Sequence, residues 1–236
     1  MVKRLRVPGI IGGAGPGATS QLYLDIMARC REARLDRRPA VLMASMEIDL
    51  AIEDRLLREG TGVEDYLPAV LTAARSLEAG GADFLAMPCN TLHVLLPELV
   101  AAVSIPVLSI LDAVAREVDR VGCRKVGLLS TASTARTGLY EKGLQARGIG
   151  VVGIGPELQE ALHAGIRDEV EQRHRESACS LDAQILAVFR PAGAGAIVAG
   201  CTELKALMTG WTLPMPVIDS LNALGMHVVE EMLGNG

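Results

Sequence analysis

One short pattern occurs twice in this chain, as Ala86-Met87-Pro88-Cys89-Asn90-Thr91-Leu92 and again as Val198-Ala199-Gly200-Cys201-Thr202-Glu203-Leu204. Each copy closes an apolar run that follows an Ala/Gly-rich stretch, Ala79 to Ala82 in the first and Ala192 to Ala194 in the second. Two further landmarks recur in the same order at nearly the same offset. Gly9-Ile10-Ile11-Gly12-Gly13 corresponds to Gly127-Leu128-Leu129-Ser130-Thr131, and Ile105-Pro106-Val107-Leu108 to Met215-Pro216-Val217-Ile218. Three ordered repeats argue for two homologous halves. At 236 residues the chain can supply each half with its own core. Halves related by a pseudo-two-fold would place two thiols in one cleft.

The local pattern within each half is α/β. Short apolar runs near 5–11, 40–46, 82–87, 106–109, 125–130, 149–153, 195–199 and 216–218 read as strands. They alternate with longer segments of helical period, the mark of βαβ units and a parallel sheet. Thr61-Gly62-Val63-Glu64 reads as a capping box opening a helix over Val63 to Glu78, which stops at Gly80-Gly81. The charged stretch Pro156 to Phe189 reads as two surface helices. The expected fold is two Rossmann-like domains with parallel sheets and the active site between them. One domain is residues 1–112 plus 219–236, carrying Cys89; the other is residues 113–218, carrying Cys201. The last helix, Ser220 to Leu233, returns to the first half.

Composition narrows the partners. A net charge of −5 leaves no basic footprint for nucleic acid or an anionic membrane surface, and no apolar run is long enough to span a bilayer. Five cysteines without a CxxC pair or a Cys/His ligand cluster point to a reducing, cytoplasmic setting with no metal site. Cys30, Cys123 and Cys179 lack a duplicate or a polar tripeptide after them and read as small buried hydrophobes.

Cys89 and Cys201 differ, because both stand where a strand ends and a helix begins, the ligand edge of open α/β sheets. Free amides and the helix dipole there are expected to lower the thiol pKa. Asn90, Thr91, Thr202 and Glu203 follow directly and offer groups for a bound carboxylate. Two facing thiols suit removal of a weakly acidic proton from one face of a carbon and its return on the other, with no cofactor. Gly13 lies in a turn that lets backbone approach the substrate, and Thr131 and Thr134 follow the equivalent strand of the second half. His93, one turn beyond Cys89, is placed to orient Thr91 or a neighbouring acid, or else is a half-exposed helix histidine. Glu203 either assists Cys201 or stabilises its helix N-terminus. His163, His174 and His227 read as surface, and Trp211 as a packing anchor.

These residues also resemble a family. Gly12-Gly13-Ala14-Gly15-Pro16, Pro88-Cys89-Asn90-Thr91-Leu92-His93 and Gly200-Cys201-Thr202-Glu203-Leu204 are similar to the opening and the two cysteine motifs of the aspartate/glutamate racemases. The resemblance covers nearly the whole chain. It implies a racemase independent of pyridoxal phosphate, frequently a homodimer, acting on an amino acid, aspartate or glutamate. It makes Cys89 and Cys201 the two acid/base residues, and Asn90, Thr91, Thr131 and Thr202 the contacts to carboxylate or amino group. Members selective for acidic substrates carry a basic residue in a stretch ending Ile-Pro-Asp-Arg; Ile52-Glu53-Asp54-Arg55 is the counterpart here, and Arg173 is the nearest candidate for a second basic residue. Broader amino-acid specificity, or dicarboxylate isomerisation or decarboxylation, is the alternative within the fold. Two other classes compete. Gly13-Ala14-Gly15-Pro16-Gly17-Ala18 fits a dinucleotide loop, but Pro16 removes an amide and Glu47 lies late for the ribose acid. A hinged amino-acid-binding protein would have the same two lobes without needing two cysteines.

Overall fold

A computed structural model describes residues 4–171 and 181–234. The first half runs β1 (Pro8–Gly12), α1 (Pro16–Glu32), β2 (Leu42–Ser45), α2 (Leu50–Glu59), α3 (Leu67–Ala79), β3 (Phe84–Ala86), α4 (Leu96–Ala102) and β4 (Val107–Leu108). The second runs α5 (Ile110–Val121), β5 (Lys125–Ser130), α6 (Ala132–Thr137), α7 (Leu139–Gln145), β6 (Gly150–Val152), α8 (Pro156–Val170), α9 (Asp182–Phe189), β7 (Ala196–Gly200), α10 (Leu204–Leu207) and β8 (Val217–Asp219), after which α11 (Ser220–Leu233) returns to the first. Each half holds a four-stranded, wholly parallel sheet, in the orders β2-β1-β3-β4 and β6-β5-β7-β8. The second order is the first with every strand advanced by four, so the repeated landmarks fall on equivalent strands. The fold is therefore α/β with two similar domains, as the duplication implied.

Burial explains the strand pattern. Central strands β1 and β7 are buried along their whole length, because helices cover both faces of a parallel sheet, whereas edge strand β2 alternates between half-buried and exposed. That double coverage requires continuous apolar runs, which is how these strands were readable. Within the second core Gly127 permits a close approach. A Cβ there would lie 2.3 Å from the Phe189 ring of α9. Gly127→Ala is accordingly expected to lower unfolding free energy by about 1–3 kcal/mol through overpacking, measured by urea titration.

Helix α11 begins at the end of the second sheet and packs back onto the first. Asp219 caps it, accepting from the amides of Leu221 at 2.9 Å and Asn222 at 3.3 Å. Its apolar face, Leu221, Leu224 and Val228, joins Leu22 and Ile26 of α1 in one core.

Three local expectations need correction. The Thr61 capping box does not form, since Gly62 is left-handed and opens a 3₁₀ turn over Val63–Tyr66, while Thr61 bonds to Glu59 instead. The α-helix proper starts at Leu67 with Pro68 in its first turn, where a missing amide hydrogen costs nothing. Helix α8 is more than a surface cover: it buries Leu162, His163 and Ile166. His163 and His227 are both buried rather than at the surface. Cys179, His174 and Arg173 lie outside the described residues. Among the described residues, no helix is long and apolar enough to cross a membrane, and no His/Cys/Asp/Glu cluster could hold a metal ion.

Candidate active site

Strand β3 ends three residues before Cys89, and strand β7 ends immediately before Cys201. The two thiols, one from each half, line a single cavity of about 60 Å³. Asn90, Thr91, Thr131, Thr202 and Glu203 also line it, together with Ala14 and Ser133.

Hydroxyls and amides tie the halves together around this cavity. Thr91 Oγ1 lies 3.1 Å from both Thr131 Oγ1 and Thr134 Oγ1. Thr131 also caps α6, accepting from the Thr134 amide at 3.1 Å. Asn90 donates to Ser220 at 3.0 Å and accepts from the Tyr140 hydroxyl at 2.5 Å. Thr134 is fully buried behind the cavity wall and holds Thr91 and Thr131 in place rather than facing a ligand. Gly13 is also off the lining; its backbone packs against Met46, and Ala14 faces the cavity. Glu203 is the N-cap residue of α10 but makes no side-chain cap hydrogen bond there. It reaches across to the first half, where a Cβ on Gly15 would come within 2.9 Å of Glu203 Oε1. That contact gives the glycine-rich loop a steric reason for Gly15.

The expected lowering of the thiol pKa values is overturned. Burial pushes Cys89 up to about 11 and Cys201 up to about 12. The Leu92 and Thr91 amides at Cys89, and the Glu203 and Leu204 amides at Cys201, do pull downward as the strand-end argument required. Desolvation outweighs them, and the Glu203 charge adds to it at both sites. The dipole contribution is small because Cys89 precedes a 3₁₀ turn, Thr91–Leu95, and α10 is four residues long. The charge on Cys89 also raises Cys201, an electrostatic coupling between the two thiols.

His93 fits neither expectation. It is 2% exposed, its Nδ1 donates to the Cys89 carbonyl at 2.7 Å, and its Nε2 accepts from the Ile110 amide at 3.0 Å. Because Ile110 donates, the Nε2 atom carries a lone pair and the ring is neutral; burial lowers its pKa to about 4. His93 therefore fastens the backbone of Cys89 to the first residue of α5.

The matched sequence extends beyond the motifs. The family model for Asp/Glu/Hydantoin racemase matches residues 11–227. The chain belongs to that family. The broad specificity amino-acid racemase RacX of Bacillus subtilis is 27% identical over 236 residues, covering 95% of this chain and 97% of the relative. Among solved structures, an aspartate racemase homologue from Pyrococcus horikoshii superposes with TM-score 0.78 at 27% identity, covering 97% of this chain and 100% of the other. The aspartate racemase of Picrophilus torridus gives 0.75 at 26% identity, with 96% and 94% covered. As a member of a racemase family the protein is an isomerase, of α/β fold with two similar domains.

Arg55, expected to read a distal carboxylate, is not brought to the cavity. Arg55 pairs with Asp65 and is half exposed, away from the lining. Sequence reasoning assigned no site role to other residues of the lining: Glu53, Leu56 and Leu57 of α2, Tyr66, and Ile166 and Val170 of α8. The two helices meet across the halves through His163, whose Nε2 donates to the Leu57 carbonyl at 2.6 Å. Arg136 of α6 likewise donates to the Glu59 carbonyl at 3.1 Å. The available signal was amphipathicity: α2 has a one-sided apolar pattern but buries no residue fully, as suits a helix that faces a cleft.

Proposed function

We propose that the protein racemises an amino acid without pyridoxal phosphate, with Cys89 and Cys201 exchanging the α-proton on opposite faces of the carbon. The observation that carries this reading is two cysteines, equivalent by duplication, on the wall of one cavity, Cys201 buried and Cys89 half-buried. Whichever thiol is deprotonated takes the proton, and the other returns one from the opposite side. Hydroxyls of Thr91, Thr131, Ser133 and Thr202 hold the α-carboxylate as charge spreads onto it. Residues 1–112 with 219–236 form the half carrying Cys89 and residues 113–218 the half carrying Cys201, in a cytoplasmic homodimer. Broad specificity is favoured over aspartate or glutamate, because no Lys or Arg lies among the described cavity residues.

The test is exchange of the α-proton in deuterated water, with inversion followed by chiral chromatography. Washout with inversion supports the reading, and a ligand bound without either supports a binding protein. The thiols also set a pH dependence. A base whose pKa is raised by burial is mostly protonated at neutral pH, so kcat/KM is expected to rise with pH, about tenfold per unit between pH 7 and 10 where thiolate formation limits the rate. A profile flat over that range would count against thiolate bases.

A further inference from the structure

Helices α2 and α8 present acceptors to the cavity without donors to match among the described residues. Glu53 makes no salt bridge among the described residues, although Arg58 of the same helix pairs with Asp54 and reaches Glu171 at 3.7 Å. His163, 4% exposed, uses Nε2–H on the Leu57 carbonyl, so its Nδ1 holds a lone pair, and that buried atom has no partner. The lining also carries the aliphatic side chains of Leu56, Leu57, Ile166 and Val170, from the same two helices. Glu203 also lines the cavity without an ion pair among the described residues.

We propose that this cleft selects amino acids whose side chain is an aliphatic stem ending in a cation, an ammonium or guanidinium group, with Glu53 as counter-ion and His163 Nδ1 as a hydrogen-bond acceptor. This rests on the racemase reading and names its substrate class. The methylenes of such a side chain lie against leucine, isoleucine and valine, and its N–H groups satisfy acceptors that an apolar side chain would leave unmet. An acidic side chain would meet Glu53 as a like charge, with no described cation to offset it. Burial and the Glu171 charge already raise the pKa of Glu53, a destabilisation that a bound cation relieves.

The test compares lysine, ornithine, norleucine and aspartate with the purified full chain, by α-proton exchange and by calorimetric binding. Norleucine has nearly the lysine stem without its charge, so it isolates the cation. Lysine and ornithine are expected to exceed norleucine and aspartate in kcat/KM by about tenfold or more, the worth of a hydrogen bond to a charged group. Glu53→Gln is expected to lower the lysine-to-norleucine ratio by about tenfold to a hundredfold, chiefly through KM. Norleucine or aspartate turned over as well as lysine, or a ratio unchanged in Glu53→Gln, overturns the assignment and leaves the two-thiol reading standing. If no amino acid exchanges its α-proton, the racemase reading fails. Binding then decides the side-chain assignment alone: tighter binding of lysine than norleucine, weakened by Glu53→Gln, upholds it, and equal binding overturns it.

Discussion

Replacing Cys89 or Cys201 by serine is expected to slow racemisation in both directions by at least about a thousandfold, the scale of losing an acid/base group that acts only in the transition state. A hydroxyl has nearly the shape of a thiol but holds its proton far more tightly, and burial that already raises both thiols would raise a serine further. Neither partner can compensate, because inversion needs a base on one face and an acid on the other. Proton exchange without inversion should survive better for the enantiomer whose α-hydrogen faces the remaining thiol. The isosteric change leaves packing almost untouched, so melting temperature and amino-acid binding should shift little. Chiral chromatography together with α-proton washout checks each part. Full turnover by either single variant would end the two-thiol assignment.

His93→Leu is the second large effect, expected to cost about 2–4 kcal/mol of stability by stranding the Cys89 carbonyl and the Ile110 amide in the interior. The same histidine gives the fold an acid dependence whose sign follows from its lowered pKa. Folded His93 resists protonation until about pH 4, whereas an unfolded histidine takes its proton near pH 6.5. The unfolded state therefore binds more protons across that window, and stability falls as pH drops from 6.5 toward 4. In His93→Leu this contribution disappears, so the variant is less stable at pH 7 but its loss on acidification is shallower. Urea titrations at several pH values measure both. A merely volumetric role for the ring would lower stability at every pH by the same amount.

How much of this was legible beforehand depends on whether each feature is local. All eight strands fell where short apolar runs stood, since a strand covered on both faces by helices needs unbroken hydrophobicity. The Cys89 and Cys201 positions were readable because two copies of a polar tripeptide after a thiol repeat with the strands around them. The sign of their pKa shift was not, because the neighbouring amides are local while desolvation comes from residues distant in sequence that pack around each thiol. Arg55 failed in the same way: its sequence context matched a substrate-binding arginine, but Asp65, ten positions on, engages it instead.

Sequence alone determined the architecture of this protein: two α/β halves, a thiol at the same strand end in each, and a returning helix. Periodicity and duplication are written along the chain and survive without knowledge of contacts. Tertiary structure alone decided what surrounds the thiols. Glu53 of α2 and His163 of α8 share one cavity wall because helices from different halves close over it. Burial and charge at a site are sums over everything packed around it, and no stretch of neighbouring residues carries that sum.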